Sequence, residues 1–454
     1  MTEQFSVKKT DKPIDWTVTV PGSKSMTNRA LLMAALTDGT VQLHGVLFSD
    51  DSRYFISSLQ SLGFDTQVNE KERSVTVTGC AGRIPKKDAQ IYVGSAGTAA
   101  RFLTAMLGMS DGSYVIEASE QMKKRPMADL FALLIQAGAR IEYLEQEGFL
   151  PIRITGQAYA GGNKNAEKIP GEAARENVAE PLHVKLDISK STQFLSAMLL
   201  IAPMVKQGLR IEITSEKTDG SYIRITRKMM EDWGVKTGYD GRTYTVAADA
   251  AYHKADYVVE PDMSAACYFY AAAAVTGGTA LVRNIHPDNT QGDRKFLSVL
   301  EQLGCTVTDE AEGIRVTGPA HGSIQGIEVD MNDFSDQTMT LAAIAPYASS
   351  PTHISHIGHI RLQESDRIHA IVTELTRAGI RCDEEADAIT IYPGQPHAAL
   401  IETYDDHRMA MAFSLLGLRT DGIIIHNPSC CRKTFEDYFE ILDALSRQDG
   451  SQSL

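Results

Sequence analysis

Three segments in the first part of the chain gather side chains able to hold an anion. PGSKSMTNRALL sets Lys24, Ser25 and Arg29 around a helix start, where ammonium, hydroxyl and guanidinium can all meet a phosphate or carboxylate. The segment also reads as a capped, solvent-facing helix, and it lacks the glycine spacing of a nucleotide P-loop. VGSAGTAARFL offers Gly94, Ser95, Ala96, Gly97 and Thr98 ahead of Arg101. Gly97 would let a ligand approach the backbone closely, although a tight turn uses the same residues. QMKKRPM concentrates Lys123, Lys124 and Arg125 before Pro126, which by composition alone is a solvated surface run.

Two other clusters carry less. HISHIGHI spaces His353, His356 and His359 three apart, but in strand and loop context with no accompanying carboxylate cluster, so no metal is expected. Cys430 and Cys431 precede Lys433, and cations lower thiol pKa values; packed thiols are the expectation nonetheless.

The elements that would position these residues repeat. Amphipathic helices ending at Gly63, Gly138, Gly234, Gly304 and Gly379 are each followed by an alternating run: VTVTG, IRITG, YTVAA, IRVTG and ITIYPG. A sixth such helix is expected from Thr434 to Leu445, its hairpin completed by the strand Thr17 to Pro21. Between them lie six helices of another kind: SKSMTNRALLMAAL, SAGTAARFLTAML, SKSTQFLSAMLLIA, DMSAACYFYAAAAV, DFSDQTMTLAAIA and DDHRMAMAFSLLGL. These are apolar on almost every face, so they are expected inside a domain, each opening on a Ser, Thr or Asp suited to N-capping. Such N-termini favour anions, which points to a multiply anionic substrate; simple packing helices would look the same. Three repeats per domain give an α/β protein of two similar domains, residues 22–248 and residues 1–21 plus 249–454. The stretch Ala160 to Pro181 reads as a mobile surface loop.

Composition bounds the function. With 454 residues, 43% hydrophobic and 22% charged, the chain is globular and long enough for two domains. A net charge of -14 argues against nonspecific nucleic-acid binding. No apolar stretch approaches the roughly 20 residues of a membrane span, and the first residues lack a secretory pattern, so a cytoplasmic protein is expected. Its six cysteines show no paired spacing and are expected to be reduced.

Taken in order, PGSKSMTNRALL, VGSAGTAARFL, QMKKRPM, Ser191 to Gln193, SYIRIT, FSDQTMT, ESDR, TYDDHRMAM and CRKTFEDYF resemble the 5-enolpyruvylshikimate-3-phosphate synthase family over nearly the whole chain. The resemblance implies two domains of three β-α-β-α-β-β units, with the active site in the interdomain cleft. It implies transfer of the enolpyruvyl group of phosphoenolpyruvate to the 5-hydroxyl of shikimate 3-phosphate, releasing phosphate, without metal or organic cofactor; a monomer is expected. Carried over by motif, Lys24, Ser25, Arg29, Ser191, Thr192, Gln193, Tyr222, Asp336 and Gln363 would contact shikimate 3-phosphate. Lys24, Gly97, Arg125, Gln193, Arg367, Arg408 and Lys433 would hold phosphoenolpyruvate. Asp336 would be the base for the attacking hydroxyl and Glu364 the acid that protonates the methylene carbon, with Lys24 shared between donor and acceptor.

Two rival readings make different demands on the residues. A UDP-N-acetylglucosamine enolpyruvyl transferase would carry a cysteine before its Arg-Pro pair, and Ser119 to Lys124 holds none. A noncatalytic ligand-binding homologue would not need Asp336, Glu364 and every donor-binding cation. The sequence departs from the family pattern at Ser95 and Phe102, where many relatives have Asn and Pro, so affinity for the herbicide glyphosate is not carried over. It departs also in KTDGSYIRIT, which leaves Ser215 and Ser221 as candidate phosphate contacts. Gln363 stands where many relatives have Lys, and Arg361 is a candidate to compensate for the lost charge.

Overall fold

The structure is a computed structural model and describes residues 3–156, 180–189 and 191–448. The stretch read from sequence as a mobile loop lies almost wholly outside the described residues. The chain divides into two compact units, Lys24–Val259 and Met1–Ser23 with Glu260–Leu454, each around its own apolar core.

The repeat read from the sequence is visible in the backbone. In the unit Lys24–Val259, one sheet runs Asp88–Tyr92, Ser113–Glu117, Ile152–Thr155, Arg140–Tyr143; its first pair is parallel and the others antiparallel. A parallel pair needs a crossover, and the helix Gly97–Gly108 supplies it. Among the described residues five other sheets repeat this plan, four with four strands and one with three. All five cap glycines have positive φ, from +85° at Gly379 to +99° at Gly138 and Gly304, and each opens the antiparallel pair that follows.

The six apolar helices are interior, as their composition required. All eleven residues of His407–Gly417 are buried, as are all seven of Thr338–Ile344. Helices Gln193–Leu200 and Thr338–Ile344 are short because Pro203 and Pro346 follow; each helix passes into a 3-10 turn there. The expected capping is narrower than the sequence implied. Asp262 and Asp406 accept a capping bond from the second helical residue, whereas Ala96, Thr192 and Gln337 provide no side-chain cap.

Three element boundaries differ from expectation. The last helix is Tyr438–Gln448, because Pro428–Lys433 forms a 3-10 turn first and delays its start. The early strand, Asp15–Val18, does not complete the last sheet but pairs in parallel with Thr279–Arg283. Gln4–Ser6 completes the last sheet instead, antiparallel to Ile423–His426. Reciprocally, Asp256–Val258 pairs in parallel with Asp38–His44, which keeps the chain in the Lys24–Val259 unit beyond residue 248.

Candidate functional site

In the unit Lys24–Val259 the helix Lys24–Leu36 begins with Lys24, whose Nζ lies 3.6 Å from the buried Asp51 Oδ2. One turn on, Arg29 is wholly buried. Its Nε donates to Thr226 Oγ1 at 2.8 Å, Nη1 to the Ser25 carbonyl at 2.7 Å and Nη2 to the Tyr222 carbonyl at 3.2 Å, with the Phe102 and Tyr222 rings beside it. Burial pulls its guanidinium down to about 10, opposed by Tyr222. Ser25, Arg29 and Tyr222 are thereby brought together. Ser215 is used internally, accepting from the Ile188 amide at 3.1 Å and donating to the Lys217 carbonyl, whereas Ser221 opens the helix that carries Tyr222.

A second cluster of that unit surrounds Gly97. A Cβ there would lie 2.6 Å from Arg101 Nη1 and 2.9 Å from Arg125 Nη1, so two guanidinium groups converge on one backbone position. Arg101 Nη1 also donates to Gln193 Oε1 at 2.8 Å, and the Gln193 amide donates to Ser191 Oγ at 3.2 Å next to Thr192. Burial and the neighbouring Arg125 push Arg101 down to about 9. Arg101 Nε and Arg125 Nη2 are buried without a hydrogen-bond partner among the described residues. The basic run before Pro126 therefore splits: Lys123 pairs with Glu145 at 2.7 Å, Lys124 is exposed, and Arg125 turns towards Gly97.

In the other unit, FSDQTMT, ESDR, TYDDHRMAM and CRKTFEDYF converge. Arg367 is buried, donating through Nε to Asp406 Oδ2 at 2.8 Å and through Nη1 to Asp336 Oδ1 at 3.0 Å and to Gln363 Oε1. Arg408 Nη2 donates to Asp336 Oδ2 at 2.9 Å. Glu364 lies 3.1 Å from Lys433 Nζ and 2.9 Å from His407 Nδ1. Burial alone would lower Arg367, but Asp406, Asp336 and Glu364 hold it above its ordinary value. Burial works against ionisation of Asp406 and Arg367 outweighs it, so that carboxyl titrates below its usual range.

Glu364, Asp406 and His407 place donor atoms within 4.8 Å of one another. Arg367 and Lys433 already pair with these carboxylates, and that positive surrounding disfavours a further cation. The three histidines of HISHIGHI do not converge: His353 faces Thr390, His356 faces Asp330 and His359 faces Ser335. Cys431 is buried and its thiol pushed well up by burial. The guanidinium of Arg361, the candidate to compensate for Gln363, is held by Asp366, Glu384 and the Ala386 carbonyl. Arg101, Asp51, Asp406 and His407 were given no role from sequence. Arg101 was detectable one helical turn after Gly97, while the others show only through their partners.

The family model for EPSP synthase (3-phosphoshikimate 1-carboxyvinyltransferase) matches residues 8–442. The chain belongs to the EPSP synthase family. Among relatives, a 3-phosphoshikimate 1-carboxyvinyltransferase of Trichormus variabilis is 43% identical over 438 residues, covering 96% of this chain and 98% of the relative. One from Yersinia pestis is 39% identical, covering 96% and 97%. The fold is also that of an EPSP synthase from Acinetobacter baumannii, with TM-score 0.77 at 24% identity and 98% of both chains covered. The enolpyruvyl transferase NikO of Streptomyces tendae shares it at TM-score 0.71 and 15% identity. The segments FSDQTMT, ESDR, TYDDHRMAM and CRKTFEDYF, on which the resemblance rests, are those that build the Asp336, Glu364 and Arg367 cluster.

Proposed function

We propose that this protein transfers the enolpyruvyl group of phosphoenolpyruvate to the 5-hydroxyl of shikimate 3-phosphate and releases phosphate. The observation that carries the reading is a pair of carboxylates held differently within one unit. Asp336 lies between two guanidinium groups, and Glu364 lies between an ammonium and an imidazole. Permanent cations favour ionised Asp336, so it is the base that takes the hydroxyl proton. Glu364 is the acid that protonates the methylene carbon; Lys433 and His407 set its orientation, and the titratable imidazole of His407 resupplies its proton.

Arg367, Arg408 and Lys433, with Lys24, Gln193, Arg125 and the backbone at Gly97, hold the phosphate and carboxylate of phosphoenolpyruvate. The unpartnered buried N–H groups of Arg101 and Arg125 support this, since a buried donor without an acceptor is costly and an anion removes the cost. Ser25, Arg29, Ser191, Thr192, Gln193, Tyr222, Asp336 and Gln363, with Lys24, contact shikimate 3-phosphate, and Ser221 is the better placed phosphate contact near Tyr222. The reading takes the enzyme as a cytoplasmic monomer. Six unpaired cysteines support a reducing compartment, and no helix among the described residues is long and apolar enough to cross a membrane.

The test is phosphate release in a mixture of both substrates. Wild-type protein should release phosphate only when both are present, and Glu364→Gln should bind both yet lose turnover by about a hundredfold or more. Binding of shikimate 3-phosphate with no phosphate release under any condition would support a noncatalytic homologue.

A further inference from the structure

The unit containing Asp336 and Glu364 buries another carboxyl group that this chemistry does not use. Asp293 lies in the turn Gly292–Arg294. Its Oδ2 accepts from the Ser264 hydroxyl and, at 2.9 Å, from Gln337 Nε2; its carbonyl accepts from Cys267 Sγ at 3.8 Å. Ser264 Oγ accepts in turn from Arg408 Nη2 at 3.5 Å, the same nitrogen that donates to Asp336 Oδ2 at 2.9 Å. One guanidinium thus stands between two carboxyl groups.

The charged and titratable groups around Asp293 come from three elements. Asp336 belongs to the turn Asn332–Gln337, Arg408 to the helix His407–Gly417, and Cys267 with the capping Asp262 to the helix Met263–Thr276. Asp333 of the first of these is engaged with Lys295 at 2.7 Å, and Arg294 with the Pro287 carbonyl at 2.8 Å. Burial, reinforced by Asp336 and opposed by Arg408, pushes the Asp293 carboxyl up to about 6.

Two guanidinium groups on Asp336 make it a weak base, because each favours the ionised form. A second carboxylate on one of them divides that attraction. We propose that Asp293 is a positioning residue for proton abstraction: through Ser264 it fixes Arg408, and as the second anion on that guanidinium it limits how far Asp336 is neutralised. The proposal rests on Asp336 being the proton acceptor. When the hydroxyl O–H bond breaks and its proton forms a new O–H bond on Asp336, Arg408 retains Asp293 as its counter-charge.

Asp293→Asn tests this in the full chain, with kcat and both KM values measured across pH using shikimate 3-phosphate and phosphoenolpyruvate. Asn keeps the shape and an acceptor for Ser264 but removes the charge. The expected result is a kcat lowered about tenfold, each KM within about threefold, and an acidic limb of kcat moved to lower pH, since Asp336 without a like-charged neighbour ionises more readily. An unchanged kcat or an unmoved limb overturns the proposal. Ser264→Ala cuts the link while leaving the buried carboxyl, and serves if the first variant does not fold. It should lower kcat about threefold with both KM values kept, and wild-type kcat there overturns the proposal too. Asp336→Asn separates the two layers. Near-normal turnover removes Asp336 as base and this proposal with it; lost turnover beside an indifferent Asp293→Asn removes this proposal alone.

Discussion

At the scale of residues, the two buried carboxyl groups Asp406 and Asp293 titrate in opposite directions, and each direction has a stability consequence. Asp406 is held ionised by Arg367, so its contribution is present above the ordinary carboxylate range and is lost as pH falls through its lowered folded value. Asp406→Asn should therefore lower stability at pH 7 by about 3 to 5 kcal/mol, with the difference from wild type shrinking in acid during urea titrations. Asp293 is raised from 3.8 to about 6, so its contribution is present below the unfolded value and is lost as pH rises through about 6. Calorimetry at pH 8 should find Asp293→Asn more stable than wild type by roughly 3 kcal/mol, and at pH 4 nearly equal to it. A purely structural Asp293 would give a loss at both pH values. Gln363 accepts from Arg367, which adds a route to donor binding beyond the acceptor contact proposed for it. Gln363→Ala should raise the KM for shikimate 3-phosphate by roughly tenfold if the acceptor contact dominates, and the KM for phosphoenolpyruvate if the hold on Arg367 does.

At the scale of elements, the start of helix Gly97–Gly108 shows how a missing side chain makes room for charge. Gly97→Ala would place a methyl group against the tips of Arg101 and Arg125, which are flexible enough to move without unfolding the helix. The expected outcome is a normal melting temperature with a KM for phosphoenolpyruvate raised about tenfold or more; unchanged kinetics would show that this helix start does not meet the donor. Gly304 is the complementary case. Its φ of +99° is unfavourable for any L side chain, yet a Cβ would find its nearest neighbour, Pro319, 3.8 Å away. Gly304→Ala should then cost about 1 to 2 kcal/mol through backbone strain, leaving kcat and KM intact.

At the scale of the whole molecule, each unit has its own core and its own buried tryptophan: Trp233 in Lys24–Val259, Trp16 in the other. Trp16→Phe leaves Trp233 as the only indole of the chain and Trp233→Phe leaves Trp16, so fluorescence during urea unfolding reports one unit at a time. Shikimate 3-phosphate, for which most proposed contacts lie in Lys24–Val259, should move the Trp233 transition to higher urea. A ligand shift confined to the Trp16 transition would reverse that assignment.

The sequence by itself determined the repeat, the cap glycines and the interior helices, because helix periodicity, positive φ after a helix and all-round apolarity are local properties written within a dozen residues. It also held the motifs that identified the family. Only the tertiary structure decided which strands complete which sheets: Asp15–Val18 and Gln4–Ser6 pair with strands more than two hundred residues away, and nothing within either short segment selects its partner. The same is true of the electrostatics. Asp336, Arg367 and Lys433 are legible as residues, but Asp406 under Arg367, Arg101 beside Gly97 and Asp293 behind Ser264 acquire their roles from burial and from partners distant in sequence, since charges interact through space and desolvation depends on what the fold packs around them.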